Sequence, residues 1–235
     1  MVRVDSYFTQ ASVIYRIIIT TRYQDYTEGA STLSHPIKNS SHSQGLAGKT
    51  ALVTGAAQRV GAHICRTLHH AGANIIVHYR QSEDSAKQLQ AELNTIRPNS
   101  VAIYGMDLAD TGSLIKLIDY SQQQWKSLDI LINNASSFYP TPIGNVTETH
   151  WNDLMDANVK AAFFLAQAAA PTLKKHQGSI VNIIDIHAER PLKSHPVYCI
   201  AKAGLAMMTK SLACELGPEI RVNGVAPGAI LWPDN

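Results

Sequence analysis

The 235-residue chain is 45% hydrophobic and 16% charged, with a formal net charge of +2 at pH 7, the mixed balance of a soluble globular protein with room for one α/β domain and a full core. Lys and Arg number 20 against 18 Asp and Glu, and without a long basic run there is no electrostatic case for nucleic acid or an anionic membrane as partner. Three cysteines, Cys65, Cys199 and Cys214, form no C-x-x-C pair and no even set, which points to reduced thiols in a cytoplasmic protein.

Residues 1–44 differ in kind from the rest. Ser, Thr, His and Tyr are frequent, no apolar periodicity is sustained after Ile19, and Ser34-His35-Pro36 with Asn39 to Ser43 reads as linker. The apolar patch from Val13 to Ile19 is split by Arg16 and is too short to span a membrane or serve as a signal core. Asp5, Asp25 and Glu28 argue against an Arg-rich presequence. The expectation is a disordered extension over 1–44, dispensable for folding, ahead of one domain over 45–235.

From Gly45 strands and helices alternate. Strands are predicted at Ala51 to Val53, Asn74 to Tyr79, Ser100 to Tyr104, Asp129 to Asn133, Ser179 to Ile184 and Ile220 to Val225. Between them fall helices at Gln58 to His70, Ser82 to Thr95, Ser113 to Gln124, Glu148 to Lys174 and Pro196 to Leu216. Apolar strands in strict β-α alternation imply a doubly wound, Rossmann-like parallel sheet with helices on both faces.

In such a sheet the ligand lies beyond the carboxyl ends of the strands, so the residues after each strand carry the functional information. After the first comes Thr54-Gly55, then Arg59-Val60-Gly61 at the start of a helix. Unpaired N–H groups and the positive end of the helix dipole there suit a diphosphate. After the second comes His78-Tyr79-Arg80-Gln81-Ser82. An acid at this point would bind the ribose hydroxyls of NAD; Arg80 with Ser82 suits the 2′-phosphate of NADP, or else Arg80 is a solvated strand-end arginine. Asp107, with Leu108, follows the third strand and either accepts from an adenine amino group or caps the next turn. Asn134-Ala135-Ser136-Ser137-Phe138 follows the fourth, with small residues for close approach and a flat ring.

The sharpest constellation is Tyr198 and Lys202 with Asp185 before them and Asn158 upstream. Four residues apart on a helix, Tyr198 and Lys202 share a face, so the ammonium is expected to stabilise the phenolate and lower the phenol from its usual pKa of about 10. A tyrosine so tuned relays protons. His187 and His195 form no pair with structural-zinc spacing, and no metal is expected. Cys199 reads as a packed thiol.

Thr54-Gly55 with Gly61, Asn133-Asn134-Ala135, Asn158, Tyr198 with Lys202, and Arg221-Val222-Asn223 followed by Pro227-Gly228 resemble the short-chain dehydrogenase/reductases. The resemblance implies an oxidoreductase with an Asn-Ser-Tyr-Lys tetrad: tyrosine as acid, lysine on the nicotinamide ribose, serine on the substrate carbonyl, asparagine holding a relay water. Asp185 stands where the serine belongs. With Arg59 in place of the middle glycine, His78 to Ser82, and Asn134 to Pro140, it resembles the pteridine reductase branch. That branch implies NADPH as cofactor and a pterin or dihydropterin as substrate. It places Phe138 on the pterin, Ser136 against it, Arg59 between cofactor phosphate and pterin, and Asp185 beside Tyr198 in protonating ring nitrogens. Pro227 and Gly228 fall to the cofactor. A homotetramer is the family's habit. The alternatives are a short-chain carbonyl reductase of 3-oxoacyl type and a catalytically weak nucleotide-binding fragment, since family members continue beyond the position of Asn235 with a covering segment and a seventh strand. Without them, the strand at 220–225 is expected to be an open sheet edge.

Overall fold

A computed structural model describes residues 45–228 and, for the backbone, residues 15–17. The strands are β1 (Tyr15–Ile17), β2 (Thr50–Val53), β3 (Asn74–Tyr79), β4 (Val101–Gly105), β5 (Ile130–Asn133), β6 (Ser179–Ile183) and β7 (Arg221–Pro227). The helices are α1 (Arg59–His70), α2 (Glu83–Ile96), α3 (Leu114–Trp125), α4 (Glu148–Met155), α5 (Ala161–Lys175) and α6 (Pro196–Leu216). The sheet order is β1-β7-β6-β5-β2-β3-β4, with β2 to β7 mutually parallel. After β4 the chain returns to the other side of β2 to lay down β5. The order therefore reverses between β2 and β5, and a crevice opens there at the carboxyl ends.

Successive strand residues feed opposite faces. Leu52, Ile76, Leu131, Ile180 and Val222 pack with α3, α5 and α6, through Leu117, Leu165 and Leu205 among others. Ala51, Val53, Ile75, Val77 and Ile132 pack with α1 and α2, through Cys65 and Leu89. Each fully buried Leu or Ile of these two layers contributes about 1.5–3 kcal/mol, so the strands that carry the crevice are held rigidly from both sides.

Two expectations change. The helix expected from Glu148 to Lys174 is interrupted by a π-helical turn at Asp156–Lys160 between α4 and α5, a widening that recurs at functional sites. The expected open edge of the 220–225 strand is covered: β1 lies antiparallel to β7, with Tyr15 opposite Pro227 and Ile17 opposite Val225. Three residues of the stretch read as disordered are thus a strand; the rest of 1–44 lies outside the described residues. The reason is non-local, because an edge of unpaired N–H and C=O groups accepts any short extended segment that reaches it.

Candidate active site

The phosphate end of the crevice is built on steric grounds. Gly55 has φ +57°, and a Cβ on it would lie 2.9 Å from Ala135 Cα. A Cβ on Gly61 would lie 2.7 Å from Ala56 Cα. Arg59 holds φ +51° without being glycine. The left-handed region is costly for a side-chain-bearing residue, which is why a glycine is usual at such a position and why an arginine there signals use of its side chain. The turn is locked to the end of β5: Thr54 Oγ1 accepts from Asn134 N at 2.9 Å and Ala135 N at 3.0 Å, and Asn134 Nδ2 donates to Thr54 O at 2.9 Å. His78 sits beneath it. Its Nδ1 accepts from Gly55 N at 3.2 Å, so Nε2 carries the proton and donates to Met106 O at 3.2 Å. Burial pushes this imidazole down to about 4, so it is neutral at physiological pH and props the loop rather than offering a charge.

One cleft of about 550 Å³ runs from this turn to Tyr198. Of the expected cofactor residues, Gly55, Arg59, Val60, Gly61, His78, Tyr79, Arg80, Ser82, Asp107, Leu108, Asn134, Ala135, Tyr198, Lys202, Pro227 and Gly228 all line it, as do Ser136 and Asp185. Asp107 Oδ1 accepts from Ala109 N at 2.9 Å, a local turn bond made at the cleft wall. The crowded glycines, the left-handed arginine and the fixed Thr54-Asn134 clasp form a cradle sized for a backbone-bound diphosphate, so the residues present fit a nicotinamide dinucleotide.

At the other end, Tyr198 and Lys202 come one turn apart on α6. The Tyr198 hydroxyl donates to Asp185 Oδ2 at 2.7 Å, while Asp185 Oδ1 accepts from His187 N at 2.8 Å. Lys202 is 2% exposed, lies 5.7 Å from the Tyr198 ring centroid and donates to Ile183 O at 3.0 Å. Burial lowers its ammonium to about 8, partly offset by the Asp185 charge. The expected downward shift of Tyr198 is corrected: its phenol is raised well above the usual range, first by burial and then by the Asp185 carboxylate it bonds. The ammonium points at a carbonyl rather than at the phenol oxygen, and the nearest charge to the phenol is negative.

Asn158 is 1% exposed and stands behind the cleft at the π turn, its Nδ2 on Leu154 O at 2.9 Å and Ser137 O at 3.0 Å. Its Oδ1 accepts from Ser136 Oγ at 2.6 Å. Phe138 is 56% exposed beside the cleft, edge-on to Tyr198 at 4.8 Å and stacked on His195 at 4.7 Å with 7° between planes. Cys199 Sγ accepts from Leu192 N at 3.3 Å and is packed. Among the described residues no three His, Cys, Asp or Glu converge as metal ligands, and no helix is long and apolar enough to cross a membrane. Asp153 and Asp156, one turn apart at the α4 end, also line the cleft. Sequence reasoning missed them, although their i, i+3 spacing next to Asn158 marks one helical face.

A parallel sheet with its order reversed at this crevice, a glycine turn under a helix, and a buried Tyr-Lys pair define a nucleotide-dependent oxidoreductase. Residues 49–234 match the model of the short chain dehydrogenase family, and the chain belongs to that family. It is 37% identical to Pteridine reductase 1 of Leishmania tarentolae, over 79% of this chain and 78% of that one, which bears out the resemblance to the pteridine reductase branch. It is 32% identical to an uncharacterized oxidoreductase of Staphylococcus aureus strain USA300, over 79% of each chain. Identity to a short-chain type dehydrogenase/reductase of Picea abies is 30%, over 79% of this chain and 72% of the relative.

Proposed function

We propose that this protein is an NADPH-dependent reductase of pterins or dihydropterins. The observation that carries the reading is the 2.7 Å hydrogen bond from Tyr198 to Asp185. A carboxylate beside the reacting tyrosine repels a bare carbonyl oxygen, but it accepts hydrogen bonds from the ring N–H and amino groups of a pterin. The similarity to Pteridine reductase 1 supports the same substrate class. NADPH, held in this cradle, would supply the hydride for a ring carbon.

The residues divide the remaining work. Gly55, Gly61 and the α1 start hold the diphosphate through backbone N–H groups, and Arg59 and Arg80 add charge, Arg80 with Ser82 at the 2′-phosphate. Phe138 offers a flat face to the pterin, and Ser136 a hydroxyl. Asp185 orients the pterin's N–H groups and holds the Tyr198 proton in place. Tyr198 keeps that proton at neutral pH because its phenol is raised, so it is loaded as the acid for the ring nitrogen. Lys202, at about 8, is still an ammonium at pH 7 and offsets part of the negative charge left when Tyr198 gives the proton away. Cys65, Cys199 and Cys214 are free thiols, in keeping with the cytoplasm, and exposed Phe163, Phe164, Ile200 and Met207 support a homo-oligomer.

The test is NADPH oxidation by purified protein with dihydrobiopterin and, separately, an acetoacetyl thioester. Turnover of the pterin and little of the thioester is expected. The reverse preference would assign a 3-oxoacyl reductase instead.

A further inference from the structure

Asp153 lines the cleft without a part in the proton and hydride chemistry. Its Oδ2 accepts from the Tyr139 hydroxyl at 3.0 Å, with His150 O 3.4 Å from the same hydroxyl as a weaker second acceptor. Loss of solvent and then the Asp153 carboxylate raise the Tyr139 phenol, so it stays a donor. Around this bond the Tyr139 ring packs with Leu154, Val197 and Tyr198, and lies edge-on to His150 at 5.9 Å between centroids. The start of α4 is itself fixed by a capping box, in which Thr147 Oγ1 accepts from His150 N at 3.2 Å and His150 Nδ1 accepts from Thr147 N at 3.3 Å. Tyr139 is therefore the point at which the loop after β5 is fastened to a rigid helix.

Phe138 is the chain neighbour of Tyr139 and is 56% exposed. His195 covers one face of its ring, at 4.7 Å with 7° between planes, and the His195 ring is itself set by Nδ1, which donates to Lys193 O at 2.9 Å. Two residues past Tyr139, Thr141 N donates to Ser194 O at 2.7 Å and ties the loop to the turn before α6. Phe138 thus stands between two fastenings, one on α4 and one ahead of α6. We propose that Tyr139 and Asp153 are a positioning pair, whose hydrogen bond holds the Phe138 ring against His195 and keeps the wall of the substrate site formed before substrate arrives. This rests on the reading of Phe138 as the face that stacks on the pterin. Ordering a loop and its side chains on binding costs affinity, and a bond that imposes the order in advance removes that cost. Asp153 acts on the ring through Tyr139, and Tyr139 through the backbone it shares with Phe138, so the pair shapes binding rather than the chemical step.

Tyr139→Phe deletes the hydroxyl and keeps the ring in its apolar contacts. It is expected to raise KM for dihydrobiopterin roughly five- to ten-fold, with kcat and NADPH affinity within about two-fold. Asp153→Ala should do the same, the double variant should be no worse than either single one, and Asp153→Asn, which keeps an amide oxygen as acceptor, should recover most of the loss. A general structural role would lower the thermal midpoint and kcat together and would not give that split. A second readout needs no substrate. With 4-fluorophenylalanine at the four phenylalanines, the fluorine resonance of Phe138, identified by its loss in Phe138→Leu, should move in Tyr139→Phe towards the position of the free amino acid, while the other three stay in place. A parent KM in Tyr139→Phe, or additive effects of the two substitutions, would overturn the proposal, as would a Phe138 resonance that does not move. A KM unchanged in Phe138→Leu would end the stacking reading instead, and the fluorine spectrum would still decide whether Tyr139 and Asp153 hold the ring.

Discussion

Burying Lys202 puts the site's chemistry in conflict with the stability of the fold, and the conflict is measurable. Its ammonium falls from 10.5 to about 8 on folding. The folded state therefore releases a proton that the unfolded chain keeps between those two values, so stability rises with pH across that window. Below about 8 the full cost applies, and at 1.36 kcal/mol per unit the shift corresponds to roughly 3 kcal/mol, shrinking to about 1 kcal/mol near pH 10. Lys202→Met keeps most of the volume and removes the charge. It also leaves Ile183 O without the 3.0 Å donor it has now, which costs about 1–3 kcal/mol. The variant is therefore expected to be as stable as the parent or up to about 2 kcal/mol more stable at pH 7, and to lose that relative advantage progressively towards pH 10. Urea denaturation of both proteins at pH 6, 7, 8, 9 and 10 measures the difference directly. A stability difference that does not change with pH would refute the claim that the lysine is buried at a cost, and retained turnover in the variant would refute its place in the mechanism.

Other expectations follow from single residues. Arg80 and Ser82 at the cleft should give NADPH at least about ten-fold tighter binding than NADH, as one charge-assisted contact contributes about 1.5–3 kcal/mol; equal affinities by fluorescence titration would remove Arg80 from the 2′-phosphate. Gly61→Ala places a methyl 2.7 Å from Ala56 Cα and against the Asn134 amide, so it should destabilise the domain by about 1–3 kcal/mol and abolish dinucleotide binding. A thermal midpoint and affinity unchanged from the parent would show that the turn relaxes freely. Deleting residues 1–44 removes β1 and uncovers the edge of β7, so the shortened chain should associate or aggregate more readily, read by light scattering. Unchanged scattering and affinity would return that segment to the dispensable role its composition suggests.

Where a property depended on local pattern, it was legible. The apolar runs at Ala51 to Val53 and Asn74 to Tyr79 and the helical spacing of Val60, Ile64 and Leu68 reappear as β2, β3 and α1, and the residues at the strand ends converge on one cleft as the switch-point rule requires. What depended on distant neighbours was not. The direction of the Tyr198 shift turns on whether its oxygen meets Lys202, four residues away, or Asp185, thirteen residues away, and sequence spacing favoured the wrong partner. The π turn at Asn158 has no marker in composition, since Asp156 to Lys160 would be acceptable in an ordinary helix. Tyr15–Ile17 is too short for a period to register, and only the unpaired side of β7 gives it a place. Arg59 is the instructive intermediate: its departure from glycine was visible, while the left-handed backbone that makes the departure costly was not.

The central claim, that Asp185 makes this site one for a nitrogen-bearing ring, is tested most directly by Asp185→Ser. With dihydrobiopterin and NADPH, the variant should lose pterin turnover by roughly a hundred-fold or more, while NADPH affinity stays within about two-fold, because the half-buried carboxylate proposed to meet the substrate is removed and the distant phosphate cradle is untouched. Pterin turnover that survives the substitution would contradict the account and leave Tyr198 and Lys202 as the machinery of a carbonyl reductase.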